Sequence, residues 1–261
     1  MYRTASRLLL VLALVFLFSL EASAQFTGCQ NIQQVTREAC EVLEKLFHET
    51  NGVFWFNRQG WLTANQPCGW FGVTCASTEW PRPVTKIHLV SNNVGGTLPA
   101  DLSLLSELKE LVIENRDAVA QFNTLSGTLP PVLGNLSNLE VLQLSRNNLQ
   151  GSLPATLGKL GKLRILHLDD NGFNDRIPVT LGDLSLLERL DLSSNQLFGA
   201  IPTELGNLDR LKHLNLSANM LDDAIPSEFD APRAVPDDGS RLQLVGRPVL
   251  GGLHHDYRLA A

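Results

Sequence analysis

Asn147, Asn171, Asn195 and Asn219 each close a copy of the pattern LxxLxLxxN, and successive copies are 24 residues apart. The copies run Leu139, Leu142, Leu144 to Asn147; Leu163, Leu166, Leu168 to Asn171; Leu187, Leu190, Leu192 to Asn195; and Leu211, Leu214, Leu216 to Asn219. Constant spacing with constant chemistry marks a stacked array. One copy buries about seven apolar side chains at roughly 2 kcal/mol each, while ordering its backbone costs about 1–2 kcal/mol per residue. A lone coil is therefore unstable, and each needs a neighbour on either side.

Within a coil, Leu142 and Leu144 lie two apart and point to one side of a short strand, with Val141, Gln143 and Ser145 on the other. The leucines are expected to form one elongated interior. An Asn at the strand's end carries both donors and acceptors, which suits it to satisfying backbone groups where the chain turns inside the stack. The hydrophobic fraction of 44% is enough for such a core. A formal charge of −6 without long basic runs argues against a nucleic-acid partner.

Residues 1–24 have the form of a secretory signal peptide: Arg3 and Arg7, an apolar run from Leu8 to Phe18, then Ala22, Ser23 and Ala24 at the cleavage site. The run is shorter than the roughly 20 residues a spanning helix requires. The mature chain is thus expected to be secreted, without a transmembrane anchor. Cys29, Cys40, Cys68 and Cys75 all precede the first copy, and in an oxidising compartment an even set reads as two disulfides. Three connectivities are open; local order favours Cys29 with Cys40 and Cys68 with Cys75. Between them Thr36 caps a helix with apolar positions Ala39, Val42, Leu43, Leu46 and Phe47, stopped at Asn51 and Gly52. Trp55, Trp61, Trp70 and Phe71 are read as covers for the open end of the stack; a carbohydrate platform is the sharper alternative.

The segment from Cys68 through Gly, Trp, Phe, Gly, Val and Thr to Cys75, preceded by Trp61 and followed by Val84, Ile87 and Leu89, resembles the N-terminal cap of plant-type leucine-rich repeat proteins. The later copies resemble that family's repeat. From Leu187 to Leu208 the pattern's strand leucines, Asn195, Leu197, Gly199, Ile201, Pro202, Leu205, Gly206 and Leu208 are all present. The resemblance covers residues 36–229. It implies an α/β repeat fold: a right-handed solenoid with a parallel sheet on its concave side, closed at one end by a disulfide-bonded helical cap. It also implies recognition of peptides, proteins or glycans by the concave side.

The expected organisation is a leader at 1–24, a cysteine and aromatic cap at 25–83, repeats at 84–229, and a break with a capping tail at 230–261. Coils start at Val84, Leu108, Leu139, Leu163, Leu187 and Leu211, five complete and the last cut short. The second departs from the interval by seven residues at about Arg116 to Phe122, before Asn123 resumes the motif; that loop is either a binding element over the concave face or an indifferent insertion. Gly96 to Pro99, Gly127 to Pro130, Gly151 to Pro154 and Gly199 to Pro202 turn the chain after each Asn, with Asp175 and Asp223 in place of glycine in two copies. Beyond Phe229, Leu242, Leu244 and Val245 suggest a terminal strand.

On the concave face the expected columns are Lys86, Glu110, Val141, Ile165, Arg189, His213; His88, Val112, Gln143, His167, Asp191, Asn215; and Val90, Glu114, Ser145, Asp169, Ser193, Ser217. At about 4.8 Å per rung they form a mixed polar strip roughly 25 Å long. Its binding residues are expected to be Lys86, His88, Glu110, Val112, Gln143, Ile165, His167, Asp169, Arg189, Asp191, His213 and Asn215. His167, Asp169 and Asp191 have the composition of a metal or acid–base site, but side chains on an open sheet seldom gain the burial that tunes a catalytic group. No cofactor, metal or enzymatic activity is expected. Asn135 and Asn215 match the glycosylation sequon. The whole reads as a secreted binding module, in signalling, defence or glycosidase inhibition, with a self-assembling structural surface protein as the alternative.

Overall fold

The computed structural model describes residues 26–222 apart from 33 and 117–122, together with the backbone of 243–248 and 255–260. The leader and the inserted residues 117–122 lie outside the described residues, as does Asp223.

The chain begins with helix α1 (Arg37–Glu49), where Thr36 Oγ1 accepts from Ala39 N at 3.1 Å. Its apolar stripe of Ala39, Cys40, Val42, Leu43, Leu46 and Phe47 is buried, as the spacing predicts. The stop is physical: Asn51 adopts a left-handed conformation with φ 57°, tolerable for Asn at a helix end. Disulfides join Cys29 to Cys40 and Cys68 to Cys75. Trp55, Trp61 and Trp70 are 4%, 1% and 1% exposed, and each indole donates to a backbone carbonyl, of Thr50, Phe71 and Ala64 respectively. Rings this deeply buried cannot serve as a sugar platform, so these tryptophans are the cover of the stack.

Six coils supply strands β2 (Val84–His88), β3 (Glu110–Val112), β5 (Val141–Gln143), β7 (Ile165–His167), β9 (Arg189–Asp191) and β11 (His213–Asn215). They pair in parallel, in sequence, and in one register. Ile87, Leu111, Leu142, Leu166, Leu190 and Leu214 form the central ladder, at no more than 2% exposure, which is the shared interior column the repeat demands. A second sheet runs along the coils' flank: β4 (Ser126–Gly127), β6 (Asn148–Gly151), β8 (Gly172–Asp175), β10 (Gln196–Gly199) and β12 (Met220–Leu221). Short 3₁₀ turns at Ala100–Leu104, Pro131–Asn135, Ala155–Lys159, Val179–Asp183 and Thr203–Asn207 carry the chain back.

The Asn ladder explains why the coils stay in step. Asn195 Nδ2 donates to Leu168 O at 3.0 Å and Leu192 O at 3.1 Å, while its Oδ1 accepts from Phe173 N at 3.0 Å. Asn147, Asn171 and Asn219 repeat that geometry. Each amide thus bridges its own coil to the preceding one, inside the stack, where buried backbone groups need protein partners. Glycine before the return path has a different cause: a Cβ on Gly158 would lie 2.2 Å from Thr180 O of the next coil. At the turn, Gly127, Gly151 and Gly199 have φ of 77–81°, and Asp175 takes the same place at φ 113°. Its Oδ1 accepts from Arg176 N at 2.8 Å, a local bond that steadies a conformation costly for a side chain.

The principal sheet is less uniform at its ends than the repeat implies. Strand β1 (Val73–Cys75), held by the second disulfide, pairs antiparallel to β2. At the far end β13 (Gln243–Pro248) and β14 (His255–Ala260) form an antiparallel hairpin, with β14 against β11. The segment around Leu244 does form a strand, but it is the outer one. Antiparallel strands at both edges cover a row of backbone groups that would otherwise be open to pairing.

The inserted loop is pinched at its base. Asn115 Nδ2 donates to Asn123 O at 2.9 Å and Asn123 N donates to Asn115 Oδ1 at 2.7 Å. Asn123 then performs the ladder role, its Oδ1 accepting from Asn92 N and Val94 N. The bonds between Asn115 and Asn123 thus keep the stack continuous on either side of residues 117–122.

Candidate ligand-binding face

The register brings the outward residues of six strands into two continuous columns: Lys86, Glu110, Val141, Ile165, Arg189, His213 and His88, Val112, Gln143, His167, Asp191, Asn215. These are the columns expected from the 24-residue interval. Exposure within them is uneven, because neighbouring rungs use one another's polar groups.

At the first rungs Glu110 accepts from Lys86 Nζ at 2.7 Å and sits 2.9 Å from His88 Nε2. Burial raises the Glu110 pKa, but the bond and charge of Lys86, with those of His88, outweigh it and hold the carboxyl below the usual glutamate range. In the middle, Gln143 Nε2 lies 3.0 Å from His167 Nδ1. Ser145 donates to Asp169, whose pKa is raised, chiefly by burial and further by the Asp191 charge, against the opposing Ser145 bond. At the last rungs Asp191 accepts from Ser193 Oγ at 2.6 Å and from Asn215 Nδ2 at 3.1 Å, and Asn215 accepts from Ser217 Oγ at 2.7 Å.

Three expectations need correction. Val112, between His88 and Gln143 in the ladder, is 3% exposed and offers almost no surface. Glu114, Ser145, Ser193 and Ser217 of the third column are buried, because they stand where the strands turn inward and bond to their neighbours. Asp169 is half-buried, which is enough to raise its pKa, a perturbation that an open sheet was expected to deny it. Among the described residues, no group of three or more His, Cys, Asp and Glu side chains is placed to hold a metal ion.

What remains available is a half-exposed apolar pair, Val141 and Ile165, followed by exposed Arg189 and His213. Among the described residues Arg189 has no ion-pair partner. The His213 pKa is lowered, first by partial burial and then by the charges of Arg189, His167 and Lys212, which favours the neutral imidazole. Along the margin Glu188 bridges Arg164 Nε at 2.7 Å and Lys212 Nζ at 3.3 Å. That edge was missed in the sequence, although charges spaced 24 residues apart, Arg164, Glu188 and Lys212, were there to be read. Of the two sequons, Asn135 is exposed on a return turn, while the Asn215 amide is bonded to Asp191 and Ser193.

A strand-lined face on a coil closed by a disulfide-bonded cap defines a repeat-solenoid recognition scaffold. The chain belongs to the leucine-rich repeat family: a leucine-rich repeat region is matched over residues 99–229, half of the 261-residue chain. It is a plant-type domain related to polygalacturonase inhibitors and receptor-kinase ectodomains. Polygalacturonase inhibitor 1 of Arabidopsis thaliana is 29% identical over 134 residues, 51% of this chain and 37% of that protein. The ectodomain of the receptor kinase SOBIR1 from Arabidopsis thaliana superposes with a TM-score of 0.57 at 28% identity, covering 68% of this chain and 90% of that one. The Arabidopsis receptor kinase HAESA, in complex with the peptide hormone IDA and the co-receptor SERK1, gives 0.55 at 35% identity over 62% of this chain and 26% of that one. The chain spans little more than a third of the inhibitor, and 8% of the probable receptor-like kinase At1g67720. No helix among the described residues is long and apolar enough to cross a membrane.

Proposed function

We propose that the protein is a non-catalytic extracellular recognition module that binds a peptide or a protein segment in extended form across the rungs of its concave sheet. The supporting observation is the run of Val141, Ile165, Arg189 and His213 in one column: two apolar side chains next to a cation without an ion pair among the described residues. An extended ligand would rest apolar side chains on the first pair and place a carboxylate against Arg189 and His213. Lys86, His88, Glu110, Gln143, His167, Asp169, Asp191 and Asn215 frame that path, and their mutual bonds keep the frame rigid, which lowers the entropy lost on binding. The two disulfides fit an oxidising compartment. Recognition of a peptide by HAESA supports this reading; the likeness to a polygalacturonase inhibitor supports a protein ligand.

The test is a secreted-peptide and secreted-protein array probed with the purified protein and with a Lys86→Ala, His167→Ala, Arg189→Ala triple variant. Binding should fall at least about tenfold in the variant, the loss of roughly 1.4 kcal/mol. Equal binding by both would place the ligand elsewhere.

A further inference from the structure

The flank sheet carries a second polar surface that the concave face does not share. The residue following each ladder Asn stands on this flank: Asn148, Gly172, Gln196 and Met220. Gly172 is the gap in that series. Its backbone is not in the left-handed region, and the nearest atom a Cβ would meet is Leu149 O at 3.2 Å. Equivalent coils carry Asn148, Gln196 and Met220 there, so the turn does not demand glycine. Gly172 instead lies in the floor of an open cleft of about 390 Å³, walled by Asn148, Gln150, Asn174, Gln196 and Asp170.

The chemistry of the walls is selective. Asn148, Gln150, Asn174 and Gln196 are all exposed, and among the described residues none of their amides bonds to another residue. Each offers donors and acceptors side by side, in contrast with the concave ladder, whose polar groups largely satisfy one another. Asp170 is the single acid in the wall, and Arg146 faces it at 3.3 Å, so the cleft has little net charge. On the same exposed face of β10, two residues beyond Gln196, is Phe198, 43% exposed, with Met220 opposite it on β12 and 50% exposed. Amides that donate and accept, next to an exposed ring, match the hydroxyls and C–H faces of an uncharged sugar. A peptide strand fits less well: β6, β8 and β10 are interior strands of the flank sheet, so no free edge invites backbone pairing.

We infer that the cleft at Gly172 is a binding site for a neutral oligosaccharide, separate from the concave face. The test is calorimetric and ligand-observed NMR titration of the full chain with hexasaccharides of β-1,4-glucan, β-1,3-glucan, β-1,4-mannan and β-1,4-xylan. At least one should bind. Gly172→Gln should weaken it at least about tenfold by filling the cleft, and Asn174→Ala with Gln196→Ala should do so without filling it, by removing one or two hydrogen bonds. Arg189→Ala on the concave face should leave it intact. The inference is overturned if no hexasaccharide binds at millimolar concentration, or if binding survives the Asn174→Ala, Gln196→Ala pair. It is equally overturned if Arg189→Ala abolishes binding, or if a peptide library rather than the sugars binds in a Gly172-dependent manner. Failure here leaves the concave reading untouched, since none of the cleft residues stands in a concave column.

Discussion

Replacing Asn195 with alanine removes the bridge between the fourth and fifth coils, and its cost can be worked from the bonds it makes. Phe173 N loses its acceptor, and Leu168 O and Leu192 O lose a donor; Phe173, Leu168 and Leu192 are fully buried. An orphaned buried polar group costs about 1–3 kcal/mol. Phe173 N is the one group left without a partner, since Leu168 O still accepts from Asn171 Nδ2 and Leu192 O from Asn219 Nδ2; one orphaned donor together with the weakened carbonyl bonds gives a loss of about 2–3 kcal/mol. That is a sizeable part of a typical domain's net stability of about 5–15 kcal/mol. Asn148→Ala provides the control, because it removes the same side chain from an exposed flank position and should change stability by less than about 0.5 kcal/mol. Urea unfolding followed by far-ultraviolet circular dichroism measures both. The indoles of Trp55, Trp61 and Trp70 report only on the cap, so fluorescence would miss a local loss. Hydrogen exchange at the Phe173 amide gives the site-specific readout, with protection expected to drop selectively in Asn195→Ala. Equal stability of the two variants, with Phe173 still protected, would refute the view that the ladder locks coil to coil.

Gly158→Ala should cost about 1–3 kcal/mol in the same denaturation assay, because its Cβ would press on Thr180 O, whereas Gly161→Ala, with nothing within 4 Å, should be neutral. Removing the second disulfide as Cys68→Ser with Cys75→Ser should cost about 2–3 kcal/mol for so short a loop, read as a lower urea midpoint. Glu110 and Asp169 should give opposite pH slopes. The depressed Glu110 pKa contributes stability present above the unfolded value and lost as pH falls through the folded one, so Glu110→Gln should flatten the acid limb of the stability profile. The raised Asp169 pKa acts the other way: the folded state is favoured by the proton, and that advantage disappears as pH rises through the folded value. Asp169→Asn should then be more stable than wild type at pH 7 and lose its advantage below the carboxylate range. In a glycosylating host, peptide mass spectrometry should find Asn135 occupied and Asn215 bare, since a glycan on Asn215 Nδ2 would displace its bonds to Asp191 and Ser193.

How much of this was legible from the chain depends on whether a residue's role follows from its interval or from its neighbours. Leu142, Leu166, Leu190 and Leu214 repeat at 24 residues, and a fixed interval in a stacked array is a fixed place in space, so core and strand register could be read directly. The same holds for the Asn ladder and for the residues sharing each outward column. Exposure could not be read that way. Val112 and Gln143 occupy equivalent positions, yet only the former is buried, because that difference depends on what lies on adjoining rungs.

The same distinction separates the two faces as ligand sites. On the concave side, side chains 22 to 24 residues apart bond to each other: Glu110 with His88, His167 with Gln143, Asn215 with Asp191 and Ser193. Such bonds fix rotamers and so prepare a rigid surface, but they also occupy the donors and acceptors a ligand would use, leaving the Arg189 cation, with the His213 imidazole beside it, to supply the attraction. On the flank the amides keep their hydrogen-bonding capacity and depend on a ligand or water to use it. A single repeat therefore produces two surfaces of different physical kind: one pre-organised, with its free charge concentrated at one end, and one adaptable and close to neutral. The first favours a ligand with a defined anionic group, and the second one with many hydroxyls, because a preordered cation discriminates by charge whereas unpaired amides discriminate by hydrogen-bond count.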